Sequence, residues 1–106
     1  TSEKVAMGYY LDGRASVVFG THTHVQTSDE RILPGGTAYI TDLGMCGPVD
    51  GIIGMDRAVA TRRLLTALPE PYQVAPGPVR VRGIAVAIDR SSGRARSIER
   101  IDRLVD

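Results

Sequence analysis

The sequence holds two histidines, His22 and His24, with one residue between them. Imidazole is the commonest metal ligand among side chains and is neutral just above its ordinary pKa of about 6.5. In extended backbone, side chains at i and i+2 point the same way. Two rings so placed converge on one point, as a zinc-, iron- or manganese-type ion requires, with metal–nitrogen distances of about 2.0–2.2 Å. Thr21, Thr23 and Gln26 are the nearby polar residues that could hydrogen-bond the rings and fix them. The competing reading is a polar loop with no ligand.

Other candidates are weaker. Asp42 could accept a ring N–H from a ligand histidine, although capping the glycine-rich stretch that follows is its more ordinary role. Glycines between Gly44 and Gly54 could let backbone N–H groups approach a phosphate. Cys46 has no histidine or basic residue beside it. It is expected to be a buried small thiol, dispensable for catalysis.

These residues need elements to carry them. Ser2 reads as the cap of a short helix through Glu3, Val5, Met7 and Tyr9, closed by Gly13. Residues 15–19 read as a buried strand ended by Gly20. The histidines then lie where a strand leaves its sheet, a common place for chemistry in α/β folds. Residues 25–33 read as a further extended piece, Pro34-Gly35-Gly36 as a turn, and residues 37–41 as a strand ending at Asp42. Asp56 caps a helix over residues 57–68 with Ala58, Val59, Leu64, Leu65 and Leu68 as its apolar face, and Pro69 ends it. A proline-rich connector, 69–78, leads to a long strand at 79–89. Ile84, Val86 and Ile88 share one of its faces and Ala85 and Ala87 the other, as in a central strand. Residues 90–93 turn the chain back, and residues 94–105 pair as a last strand, although Ile98, Ile101 and Leu104 recur at a spacing of three. Arg57, Arg62 and Arg63 read as a solvated helix face. Arg90, Arg94, Arg96, Arg100 and Arg103 read as a solvated edge that discourages strand pairing, with contact to a partner subunit or RNA as the alternative.

The 106 residues suffice for one domain and are too few for two. Hydrophobic residues are 42% and charged residues 24%, an ordinary balance for a soluble protein. A net charge of +1 argues against bulk nucleic-acid binding and polybasic membrane contact. No apolar run approaches the roughly 20 residues that span a bilayer, and no leader segment is visible. A single cysteine excludes an internal disulfide and fits a reducing cytoplasm. The chain starts at Thr1 inside a helix start, which reads as a fragment or a processed chain.

A His-x-His pair occurs in several architectures. Cupins follow it with a Glu, near the place of Glu30, but need a later histidine that this sequence lacks. Amidohydrolase barrels need more chain and more histidines. The third setting is the last motif of calcineurin-like metallophosphoesterases, at a strand end late in the catalytic domain, and it fits best. The longer wording agrees. Residues 20–27 (Gly-Thr-His-Thr-His-Val-Gln-Thr), residues 29–42, Gly44-Met45, Gly47-Pro48 and Ile53-Gly54-Met55 resemble the bacterial 2′,3′-cyclic-nucleotide 2′-phosphodiesterase branch of that superfamily. The similarity covers most of the chain.

This resemblance implies the C-terminal part of a four-layer α/β/β/α sandwich with a centre of two divalent or mixed-valence metal ions, iron or manganese. It matches the family's two late histidines to His22, facing the second metal, and His24, facing the first. The remaining ligands and the proton donor come earlier in the family's chain, and the missing histidine ligand precedes a Thr-Ser-Glu-Lys run like residues 1–4. The implied reaction is attack on a cyclic nucleotide by metal-activated water, with 2′,3′-cyclic phosphodiesters as substrates and 3′,5′-cyclic ones as further candidates. A homo-oligomer is compatible with this reading, and RNA stands as an untested partner. The alternative, were the chain complete, is a non-enzymatic or mononuclear metal-binding module.

Overall fold

Every residue from Thr37 to Asp42 is buried, and the strand at their centre organises the fold around it. The computed structural model describes residues 1–105; Asp106, the last residue of the expected domain, lies outside the described residues. The chain is mixed α/β: α1 (Ser2–Leu11), β1 (Val17–Phe19), β2 (Arg31–Ile32), β3 (Ala38–Ile40), β4 (Gly47–Pro48), α2 (Arg57–Thr66), β5 (Val79–Ile88) and β6 (Ala95–Val105). Two three-stranded sheets form, ordered β1-β3-β2 and β4-β5-β6. The chain divides into two compact units, one of Thr1–Gly44 with Arg82–Ile101, the other of Met45–Val81 with the chain from Asp102 on. No described helix is long and apolar enough to cross a membrane.

In the first unit β1 runs parallel to β3, pairing Val17 with Ala38 and Phe19 with Ile40. Short β2 pairs antiparallel on the other side of β3. The strand expected over residues 15–19 is shorter and less buried than read: β1 is an outer strand of its sheet, and Phe19 is 55% exposed. Helix α1 starts one residue earlier than expected. Thr1 occupies the N-cap without a side-chain bond, so Ser2 is inside the helix and caps nothing. Gly8, a costly residue in a helix interior, is explained by close packing: a Cβ there would stand 2.6 Å from the Tyr39 ring. The helix therefore lies directly against the central strand.

The β5–β6 hairpin forms as read, and Asp89 closes its turn by accepting from the backbone N–H groups of Ser91 and Ser92. The spacing of three in β6 did not prevent a strand, because the turn and the long partner strand decide its backbone. Two arginines read as solvated are paired, Arg96 with Asp89 and Arg100 with Glu30.

In the second unit Asp56 caps α2 as expected, its Oδ1 accepting from Ala58 and Val59 N–H. The expected apolar face fails. Val59 and Ala60 are buried, whereas Leu64 and Leu65 are 79% and 81% exposed. Only the first turns of α2 dock; Ala67 then turns left-handed, ending the helix before Leu68. Nor is the basic run fully solvated: Arg62 pairs with Glu70, and Arg63 stacks over Tyr72. Cys46 is exposed, against the expectation of a buried thiol, because it sits in the surface stretch before β4. The glycine-rich stretch contains short β4 and a tight turn from Ile52 to Met55, closed by reciprocal backbone bonds of 2.9 and 3.0 Å. Ile53 has φ 45° there. A β-branched residue fits that conformation poorly, and the mirror-type hairpin turn prefers Asn. Ile53→Asn is expected to stabilise the protein by about 1 kcal/mol, visible as a higher midpoint of thermal unfolding. An unchanged or lower midpoint would mean that the Ile53 side chain contributes more than its backbone costs.

Candidate metal centre

Because β1 and β3 are parallel, their C-terminal ends open at the same edge of the sheet. One end delivers Gly20 and then the two histidines; the other delivers Thr41 and Asp42. Gly20 continues the ladder, donating to Ile40 O at 3.2 Å and accepting from Leu43 N at 2.9 Å. The chain then makes a short excursion over residues 21–25 and returns as Gln26 bridges to Leu43. The histidine loop thus begins and ends against the same residue.

The loop is bent, which corrects the extended backbone assumed for the pair. His22 has φ 103° and His24 φ 67°, in a region most side chains avoid. Histidine enters it more readily than most residues, yet two such positions in three residues still cost free energy. The alternation expected of a strand arises here by a different route. Residues 21, 23 and 25 are anchored and 22 and 24 are not. Lys4 Nζ donates to the Thr21 carbonyl. Asp42 Oδ2 accepts from Thr23 N–H at 2.9 Å and from Thr23 Oγ1 at 2.7 Å. Thr23 Oγ1 is in turn 3.3 Å from the Val25 N–H, which donates to it. Both histidines are exposed.

Asp42 is fully buried and is the organising group. Its Oδ1 accepts from Gly44 N–H at 2.8 Å, and Lys4 Nζ stands 3.2 Å from Oδ2. Asp42 therefore caps the glycine-rich stretch, as the ordinary reading has it, and takes no ring N–H. Instead it holds the residue between the histidines. Thr21, Thr23 and Gln26 make no bond to the rings either; Gln26 turns away and donates to Gly83 O and Ile101 O. Burial would raise the Asp42 pKa, but the donors from Gly44, Thr23 and Lys4 outweigh it and lower it from 3.8 to about 2. Asp29 is lowered too: burial opposes, and bonds from Thr27 and Thr41 prevail. Thr41 Oγ1 donates to Asp29 and leaves its oxygen to accept from the buried Tyr39 hydroxyl.

A depressed carboxylate pKa gives stability that is present above the unfolded value and lost as pH falls through the folded one. Wild-type stability is thus expected to fall between about pH 4 and pH 2 through Asp42, with Asp29 contributing in the same direction. Asp42→Asn should be less stable at neutral pH and lose less over that acid interval, measured by urea unfolding across pH. Parallel losses in both proteins would remove Asp42 from the account.

The two imidazoles suit a transition metal as neutral nitrogen donors, and no described residue bonds to either ring. They fit two positions of a site and do not fill one: among the described residues no group of three or more His, Cys, Asp and Glu is placed to hold a metal ion. The nearby carboxylates are committed elsewhere, Asp42 and Asp29 to threonine and backbone donors and Glu30 to Arg100. Sequence reasoning missed Lys4 as a partner of this loop. Its only signal was a basic residue in the first turn of a helix, where the macrodipole disfavours it.

The profile of the family described as YmdB-like protein matches residues 1–101. The 2′,3′-cyclic-nucleotide 2′-phosphodiesterase of Bacillus subtilis is 58% identical over 101 residues, covering 95% of this chain and 38% of that protein. The crystal structure of a hypothetical protein from Thermus thermophilus superposes with TM-score 0.88 at 43% identity, over 97% of this chain and 40% of the other. That of a novel phosphatase from Mycoplasma pneumoniae gives TM-score 0.90 at 36% identity, over 97% and 37%. The chain spans 38% of the length of the curated relatives it matches. The resemblance read in residues 20–55 and the α/β class are borne out.

Proposed function

Because the chain belongs to the YmdB-like protein family, we propose that it supplies the last two histidine ligands, His22 and His24, of a metal-dependent cyclic-nucleotide phosphodiesterase. In this reading it forms the C-terminal part of a four-layer α/β/β/α sandwich in a cytoplasmic enzyme. The observation that carries it is the loop itself: two exposed histidines in costly backbone, with every neighbouring residue anchored. Such backbone persists where surrounding structure over-determines it, and it clusters at functional sites. The 58% identity to a 2′,3′-cyclic-nucleotide phosphodiesterase supports the substrate class.

His22 and His24 would each hold one of two metal ions, iron or manganese. When bound, such a pair supplies a nucleophile at neutral pH and positive charge beside the phosphoryl oxygens. The chain's own contribution is orientation. Asp42, Thr23 and Lys4 fix the loop before any ion arrives, so little ordering remains to be done on binding. The rings must be neutral to bind, so protons compete with the metal. The other ligands and the proton donor would come from residues that this chain does not hold.

The test is hydrolysis of 2′,3′-cyclic AMP by the natural protein, before and after chelation and after return of manganese or ferrous iron. Loss on chelation and recovery with metal is expected, with residues 1–106 alone inactive under every condition. Turnover that survives complete chelation would overturn metal dependence. Turnover by residues 1–106 would mean that this chain completes a site by itself.

A further inference from the structure

Lys4 belongs to no ligand set, yet it is the one residue of α1 that touches the histidine loop through hydrogen bonds. Its ammonium donates to the Thr21 carbonyl and stands 3.2 Å from Asp42 Oδ2. Its stem passes over Gly20, where a Cβ would stand 3.1 Å from Lys4 Cδ. Helix α1 is itself seated on the central strand through Gly8 and Tyr39. A rigid path therefore runs from the buried strand, through the helix, to the carbonyl that precedes His22.

We propose that Lys4 is a positioning residue for metal binding: it sets the geometry of His22 and His24 by holding Thr21 and neutralising Asp42. This rests on the reading of the two histidines as ligands. The charge matters because Asp42 is buried and ionised, and Lys4 is the cation that pairs with it. An ammonium is strongly hydrated and gives up water only for good acceptors. Here it has two, both serving the loop. Without the ammonium, the Thr21 carbonyl is released and Asp42 keeps only neutral donors. The peptide before His22 is then free to rotate, and the φ of 103° has less to sustain it. The imidazoles would sample many orientations, and the metal would bear the cost of ordering them.

A role confined to fold stability is distinguishable. Both Lys4 acceptors lie at the loop, and the buried strand, its ladder and the Gly8–Tyr39 contact do not involve its ammonium. Lys4→Met keeps the stem over Gly20 and removes the charge. Lys4→Arg keeps a cation. The natural protein would be freed of metal and titrated with cobalt(II) alone, following the visible absorption of the bound ion, beside a His22→Ala control. Lys4→Met is expected to weaken cobalt binding about 10–100-fold, the usual effect of removing a group that orients a ligand. Lys4→Arg should recover most of that loss, and metal-free Lys4→Met should still fold, with a lower unfolding midpoint because buried Asp42 loses its counter-ion. Wild-type affinity in Lys4→Met, with binding lost in His22→Ala, would overturn the role of Lys4 and leave the ligand reading intact. Unchanged binding in His22→Ala would overturn the ligand reading itself. Failure of Lys4→Met to fold would also overturn the proposal, by making Lys4 a residue of the fold and not of the loop.

Discussion

His22→Ala and His24→Ala are each expected to lower kcat/KM toward 2′,3′-cyclic AMP at least about a thousandfold, or roughly 4 kcal/mol of transition-state stabilisation. The size follows from the division of labour in a two-metal site. In the proposed site both cations would act on the phosphoryl group, so losing a ligand from either would disable a clamp that works only as a pair. The loss should fall mainly on kcat, because charge at phosphorus grows in the transition state. The same substitutions should leave the fold untouched. Both side chains are exposed, and no described residue bonds to either ring. Relief of the φ values at 22 and 24 by a smaller residue is slight, so the unfolding midpoint should change by no more than a few degrees. A loss of activity below tenfold with metal retained would take the histidines out of the mechanism.

The second large effect is structural. Gly20→Ala is expected to destabilise the protein by about 3 kcal/mol or to prevent folding. A Cβ at Gly20 would stand 2.0 Å from the Thr41 carbonyl oxygen. That neighbour is backbone of the most buried segment, so no rotamer change relieves the clash. The strands β1 and β3 must separate at their C-terminal ends, weakening the bonds from Gly20 N to Ile40 O and from Leu43 N to Gly20 O. Those bonds are also the hinge of the histidine loop, so any folded Gly20→Ala protein should bind metal poorly as well. Urea unfolding reads the first effect and cobalt titration the second. A loss under 1 kcal/mol would show that the strand ends are looser than the ladder implies.

Much of this was legible in the sequence, and what failed did so for identifiable reasons. The central strand, the Asp56 cap and the β5–β6 hairpin each carry a local signal: alternation, an N-cap acid, a Ser-Ser-Gly turn. The histidine pair was found by residue type and spacing, and the longer runs around it identified the family. The backbone beneath it was misjudged. An i, i+2 spacing implies extended backbone, whereas the loop is bent and its alternation is imposed by Lys4 and Asp42, which lie 17 residues before Thr21 and 19 after Thr23. Spacing cannot register bonds that long. Burial failed similarly for Leu64, Leu65 and Cys46, because an apolar periodicity names a face without naming what covers it.

The central claim is that His22 and His24 are metal ligands, and elemental analysis of the natural protein tests it most directly. Wild type, His22→Ala and His24→Ala would be prepared with equal metal supply and their metal content per chain measured. The account predicts that wild type carries metal and that each substitution lowers the stoichiometry. Wild-type stoichiometry in both substituted proteins would contradict it.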